Sequence, residues 1–207
     1  MNDIKLLGKI ILPEQSPVIF SYTPDEHWNK HFMPMRGQWH EENGWLVGTE
    51  RGNYGGILLS REYYDCNVML SFKGATVLPA TRDLNAVFCA RWDFGKDYLG
   101  DSYVCGLNGW YENKSGIERN PPYSYLNSTT TLYRYNPGET VRISCGAVDG
   151  HCFMTVNGTL VSELIDPCPI TGGHVGFSPY CTMLKITDIE VRKIIWKEYP
   201  QEYEPEF

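Results

Sequence analysis

The chain has 207 residues, 42% of them apolar and 14% aromatic, and 18 Lys and Arg against 25 Asp and Glu give a formal charge of −7. That balance repels polyanions, so it argues against nucleic acid and acidic membrane surfaces as partners and favours a neutral ligand. The 20 glycines and 13 prolines are spread along the chain, where they punctuate turns rather than mark disorder.

From the N-terminus, MNDIKLLGKIILPEQ carries an apolar run too short and too interrupted for a signal or an anchor. Val18 to Tyr22 reads as a strand, and TPDEHWNKHF as a short helical turn with Thr23 as cap and Pro24 in the first position. GQWHEENGWLVGT is a hairpin turning at Asn43-Gly44, a pair that tolerates positive φ. Tyr54 to Ser60 and Cys66 to Lys73 follow as strands. Two more, Ala86 to Trp92 and Ser102 to Trp110, flank the polar crossing DFGKDYLGD. Residues 112–131 are polar, with a Pro-Pro break, and read as a long loop lidding a site, with Arg119, Tyr123 and Tyr125 as its anchors. VRISCGAV, HCFMTV and TLVSEL then form a meander through Asp149-Gly150 and Asn157-Gly158. GGHVGFSPY and MLKITDIEVRKI supply two further strands, and YPQEYEPEF is an acidic, frayed tail.

No stretch keeps a 3.6-residue apolar period. Short Val-, Ile-, Phe-, Tyr- and Thr-rich runs between turn residues predict an all-β chain, a sandwich or a barrel, in one domain over 1–198 with a flexible tail at 199–207. The seven cysteines are an odd number without a CxxC pair, and several alternate with core-like neighbours as free buried thiols do. With no signal, a reducing cytoplasm is expected, and the three Asn-x-Ser/Thr sequons are read as chance.

Alternation in the Ser102–Trp110 run places Tyr103, Cys105 and Leu107 on one face and Val104, Gly106, Asn108 and Trp110 on the other. The first set suits a core. The second combines a glycine that leaves room, an amide that hydrogen-bonds and an indole that stacks, which suits a shallow groove.

GETVRISCGAVDGHCFMTVNGTLV and GGHVGFSPYCTMLKITDIEVRKI resemble the closing half of concanavalin A-like lectin/glucanase jelly rolls. Upstream, GQWHEENGWLVG, GGILLSREYYDCNVMLSFKG and AVFCARW are similar to the 3-keto-disaccharide hydrolases and to a related family of bacterial pectin-utilisation clusters. The shared features are a W-x-x-x-x-G-x-L opening (Trp39 to Leu46), the strand from Tyr64 to Phe72 and a strand ending in Arg91. The resemblance covers about residues 36–193. It implies a two-sheet antiparallel β-sandwich of the jelly-roll kind and a cytoplasmic, bacterial-type carbohydrate-active enzyme acting on a small imported glycoside, a 3-keto-glycoside or a pectin-derived saccharide, by elimination or hydrolysis. The chain departs from those hydrolases at Tyr103-Val104-Cys105-Gly106, where they usually carry Y-E-x-Q.

A saccharide needs aromatic faces and planar hydrogen-bond partners. Trp110, Tyr111, Trp92 and Trp45 are the stacking candidates and Asn108 the amide. Arg91 offers a forked donor to a sugar or ketone oxygen, and Arg119 is a further substrate-binding candidate. Glu112, just past Trp110 and Tyr111, is the candidate base, with Glu118 or Asp93 as the partner carboxylate of a hydrolytic pair. Asp93, Asp97 and Asp101 recur every four residues and offer oxygen ligands for calcium, but the spacing lacks an EF-hand pattern and solvated carboxylates are the simpler explanation. His27 and His31 lack the Glu of HExxH, and GxSxG, phosphate-loop and dinucleotide motifs are missing. A non-catalytic carbohydrate-binding protein and an accessory subunit completing a partner's site remain as alternatives, and a homo-oligomer is compatible with all three.

Overall fold

A computed structural model describes residues 2–52, 55–110, 114–121 and 126–199. Almost all regular structure is antiparallel strand, arranged in two large sheets packed face to face, the architecture expected from the alternation of short apolar runs and turns. In the front sheet the strands lie in the order Asn127–Thr130, Lys114–Asn120, Ser102–Gly109, Leu84–Ala90, Gly172–Phe177, Ile57–Ser60 and Phe32–Arg36. The back sheet runs Thr159–Ile165, His151–Val156, Val141–Val148, Val68–Thr76, Thr182–Lys193, Trp45–Glu50 and Gln38–Glu42. Neighbours in space are often distant in sequence, as in a jelly roll.

The turns form where residues tolerate the left-handed region. Asn43 and Gly44 have φ of 52° and 78°, Asp149 and Gly150 49° and 79°, and Asn157 and Gly158 50° and 83°, so each Asx-Gly pair closes a two-residue hairpin. Side-chain alternation then sorts the faces. Tyr103, Cys105 and Leu107 point inward and are fully buried, beside Ala86 and Phe88 of the next strand and Ile117 on the other side. They meet Leu70, Phe72, Cys145 and Ile186 from the back sheet in one continuous core. Phe72 and Phe177 cross between the sheets edge to face, with ring centroids 5.0 Å apart.

Part of the outer face of the back sheet is also covered. Ile4–Leu6, Lys9–Ile11 and Trp196–Glu198 form a small sheet, and Ile4, Leu6 and Ile11 pack on Met69, Val148 and Phe153. On the front sheet, the short hairpin of Trp92–Asp93 and Tyr98–Leu99 roofs only part of the outer face, through Trp92 and Leu99 over Ile57, Leu59, Val87 and Val104. The remainder of that face lines a cavity.

Several local expectations are corrected. Much of 112–131 is sheet: Lys114–Asn120 pairs with Ser102–Gly109 and carries Asn127–Thr130 on its other side. Tyr123 and Tyr125 lie outside the described residues. The segment after Tyr22 makes a single 3-10 turn over Trp28–Lys30, with His27 rather than Thr23 at its start. Cys66 and Cys89 are joined in a disulfide, so not all the thiols are free, while Cys105, Cys145 and Cys152 are free and buried as expected. Among the described residues no helix is long and apolar enough to cross a membrane.

Candidate functional site

The cavity on the outer face of the front sheet has a volume of about 450 Å³, within the range of small-molecule sites. Its floor is built by three adjacent strands. In register, Asn85 lies opposite Gly106, which lies opposite Gly116, and two pairs further along Val104 lies opposite Glu118. Because Leu84, Ala86 and Phe88 face the core, Asn85 faces the cavity from the Leu84–Ala90 strand, with Asp83 just before it. Glu118 faces it from Lys114–Asn120, because Ile117 is taken by the core.

Gly106 supplies the room that Asn85 needs. A β-carbon there would lie 1.8 Å from Asn85 Oδ1, and one at Gly109 would lie 3.0 Å from Asp83 Oδ1. The two glycines of the central strand thus let polar side chains from its neighbour lie across it. Ile57, Leu99 and Val104 form the apolar wall, Trp110, Tyr98 and Tyr180 contribute rings, and Arg36 and Arg82 are the cations.

Asp83 is nearly buried and accepts from Asn85 Nδ2 at 3.2 Å, while its other oxygen pairs with Arg82 Nε at 3.3 Å. Burial pushes its carboxyl up to about 6, against the lowering pull of the Asn85 hydrogen bond and the Arg82 charge. Glu118 is pushed up to about 7, first by burial and further by the charge of Asp83, although the Trp110 indole N–H donates to its Oε2 and pulls the other way. No cation pairs with Glu118 among the described residues. The result is two interacting carboxyls near neutrality, one tied to an arginine and one held only by an indole.

The roof is fixed from the sheet. Asn120, fully buried, donates from Nδ2 to the carbonyls of Leu99 and Gly100 at 2.7 and 2.9 Å. The Arg36 guanidinium bonds the carbonyl of Asp97, approaches its carboxylate at 3.2 Å and stands 5.5 Å from the centre of the Trp92 ring.

Of the residues anticipated from sequence, Trp110 lines the cavity and touches Glu118. Asn108 does not offer its amide to the cavity: at φ 51°, in a bulged stretch after Gly106, it donates to the carbonyls of Thr81 and Tyr135 at 3.2 and 3.0 Å. Trp92 packs in the roof, where it meets Arg36. Arg91 stands at the far end of its strand from Asp83, bonding the Gly172 carbonyl and the Tyr63 hydroxyl. Arg119 faces inward opposite Tyr103 and pairs with Asp166 at 3.3 Å. Glu112 and Tyr111 lie outside the described residues. Trp45 lies on the back sheet, under Lys185.

The loop aspartates are engaged separately. Asp93 accepts from the backbone N–H groups of Gly95 and Lys96, and Asp97 pairs with Arg36. No group of three or more His, Cys, Asp or Glu placed to hold a metal ion occurs among the described residues.

Asp83, Asn85 and the pairing of Glu118 with Trp110 were not anticipated together. The signal was present in TRDLNAVF: an acid and an amide lie on the face opposite Leu84, Ala86 and Phe88. Those groups supply, from the flanking strands, the polarity that the central strand lacks at Val104 and Gly106.

No protein-family model matches the chain, and no curated protein matches it. Among solved structures it is similar to a protein of unknown function with a galectin-like fold from Bacillus subtilis (TM-score 0.67, 10% identity, 86% of this chain and 96% of that one). It is also similar to the carbohydrate-binding module CBM66 of Bacillus subtilis (TM-score 0.63, 11% identity, 78% and 95%). A third likeness is to a chain from the endo-acting O-glycanases that prominent members of the human gut microbiota express to initiate mucin breakdown (TM-score 0.57, 10% identity, 86% and 99%). At these identities what is shared is the fold, a β-sandwich of the galectin-like and carbohydrate-binding-module type.

Proposed function

We propose that the protein binds a small saccharide in the front-sheet cavity and cleaves a glycosidic bond there, with Glu118 as the proton carrier. The observation that carries this reading is Glu118 itself, a largely buried carboxyl raised to about 7 in a cavity with aromatic rings. A group that titrates near neutrality is available both as the acid that protonates a leaving oxygen and as the base that takes a proton beside a ketone. Trp110 orients it by holding one oxygen, and burial keeps it protonated, with a further push from the Asp83 charge. Hydrolysis of a glycoside and elimination from a 3-keto-glycoside both draw on this one function, so the cavity accommodates either. The rings offer stacking faces to sugar C–H groups.

A second reading rests on Asp83. Its carboxylate is tied to Arg82 and Asn85 rather than poised toward a substrate, which suits a binding protein more than a hydrolase using two carboxylates.

The test is a panel of small neutral glycosides, uronosides and 3-keto-glycosides, read by calorimetry for binding and by aglycone release for turnover. Release that Glu118→Gln abolishes while binding persists supports the enzyme. Binding without release, lost in Trp110→Ala, supports the binding protein. No binding by any member overturns the saccharide reading.

A further inference from the structure

The charges around the cavity are not interchangeable. Both of its guanidiniums have acidic partners: Arg82 pairs with Asp83 at 3.3 Å, and Arg36 pairs with Asp97 at 3.2 Å and stands against the Trp92 ring. Glu118 is the lining carboxyl that no cation neutralises among the described residues. Asn85 offers an anion little: its Nδ2 donates to Asp83, and its Oδ1 is enclosed over Gly106.

We propose that the cavity selects an uncharged saccharide unit, whose hydroxyls donate to Glu118, and discriminates against uronic acids. The inference rests on the saccharide reading and narrows it. A uronate carboxylate would meet the unneutralised acid of Glu118 and find each arginine already paired, Arg82 with Asp83 and Arg36 with Asp97. Juxtaposed like charges in a desolvated site are strongly unfavourable. Of the two substrate classes implied by family resemblance, this selects the neutral glycoside over a galacturonate from pectin.

The experiment is calorimetry on the full chain at about pH 8 and low salt, where a carboxyl titrating near neutrality is mostly ionised. Matched pairs of ligands are used: methyl galactoside with methyl galacturonoside, and methyl glucoside with methyl glucuronoside. The neutral member of a pair is expected to bind at least about tenfold tighter. Glu118→Gln, which keeps an acceptor for Trp110, should narrow that ratio, and high salt should narrow it in the native protein without any substitution. A uronoside that binds as tightly as its neutral partner overturns the inference and leaves saccharide binding intact. A ratio unchanged in Glu118→Gln and in high salt overturns the electrostatic basis. Absence of binding to all four ligands overturns the saccharide reading and the inference together.

Discussion

Glu118 is the group whose state a change of pH most readily switches. Its ordinary value is 4.5 and the fold raises it to about 7, so between those limits the folded protein holds a proton that the unfolded chain has released. The stability that Glu118 contributes is therefore fully present below about pH 4.5 and lost as pH rises through 7. Glu118→Gln removes that loss. The variant should be more stable than the native protein at about pH 8, by roughly 1–2 kcal/mol after discounting for solvent at the cavity mouth, with the gain gone near pH 4. Denaturant titrations at the two pH values check this, and a native protein more stable than the variant at pH 8 would mean that a cation reaches Glu118. Gly106 makes a second residue-scale case. Gly106→Ala places its methyl on the Asn85 amide and should cost about 1–3 kcal/mol. Adding Asn85→Ala should recover much of that loss in a double-mutant cycle, whereas additive losses would show that the two side chains do not compete for one space. The spacing of Gly106 in the central strand was legible as room for something. That the something is Asn85 was not, because the occupant comes from a cross-strand partner that only the register identifies.

The strand Lys114–Asn120 explains why part of the site escaped sequence reading. KSGIERN looks like loop because it is polar, yet its polarity is divided by face. Ile117 joins the core and Arg119 reaches the buried Asp166, while Glu118 turns to the cavity and Gly116 lets the Asn127–Thr130 strand approach. A strand with a binding face on one side and a buried ion pair on the other has little left for an apolar alternation. The strands that serve only packing, such as Val141–Val148 and His151–Val156, were plain from their composition and Asx-Gly turns. Asn120 ends the strand and carries the roof hairpin on two hydrogen bonds. Asn120→Ala should cost about 1–3 kcal/mol and loosen that hairpin. Faster amide exchange in residues 92–101, with weaker saccharide binding although Asn120 does not line the cavity, is the expected result. Unchanged exchange there would show that Arg36 and the backbone suffice to hold the roof.

The molecule as a whole separates stability from binding by sheet. The back sheet is packed on its inner face and, around Met69, Val148 and Phe153, on its outer face too, where Ile11 of the terminal strands is fully buried against it. Ile11→Ala should lower stability by about 2–5 kcal/mol yet leave the dissociation constant of any saccharide ligand unchanged in the folded fraction. A shifted constant would mean that the back layer sets the curvature of the front sheet. Lys9–Ile11 pairs with Ile4–Leu6 on one side and Trp196–Glu198 on the other, so the first and last strands of the fold share one small sheet behind the sandwich. A protein fused, tethered or immobilised through either end would turn its cavity outward, away from the attachment, and two such units joined in series would keep both cavities open to the medium.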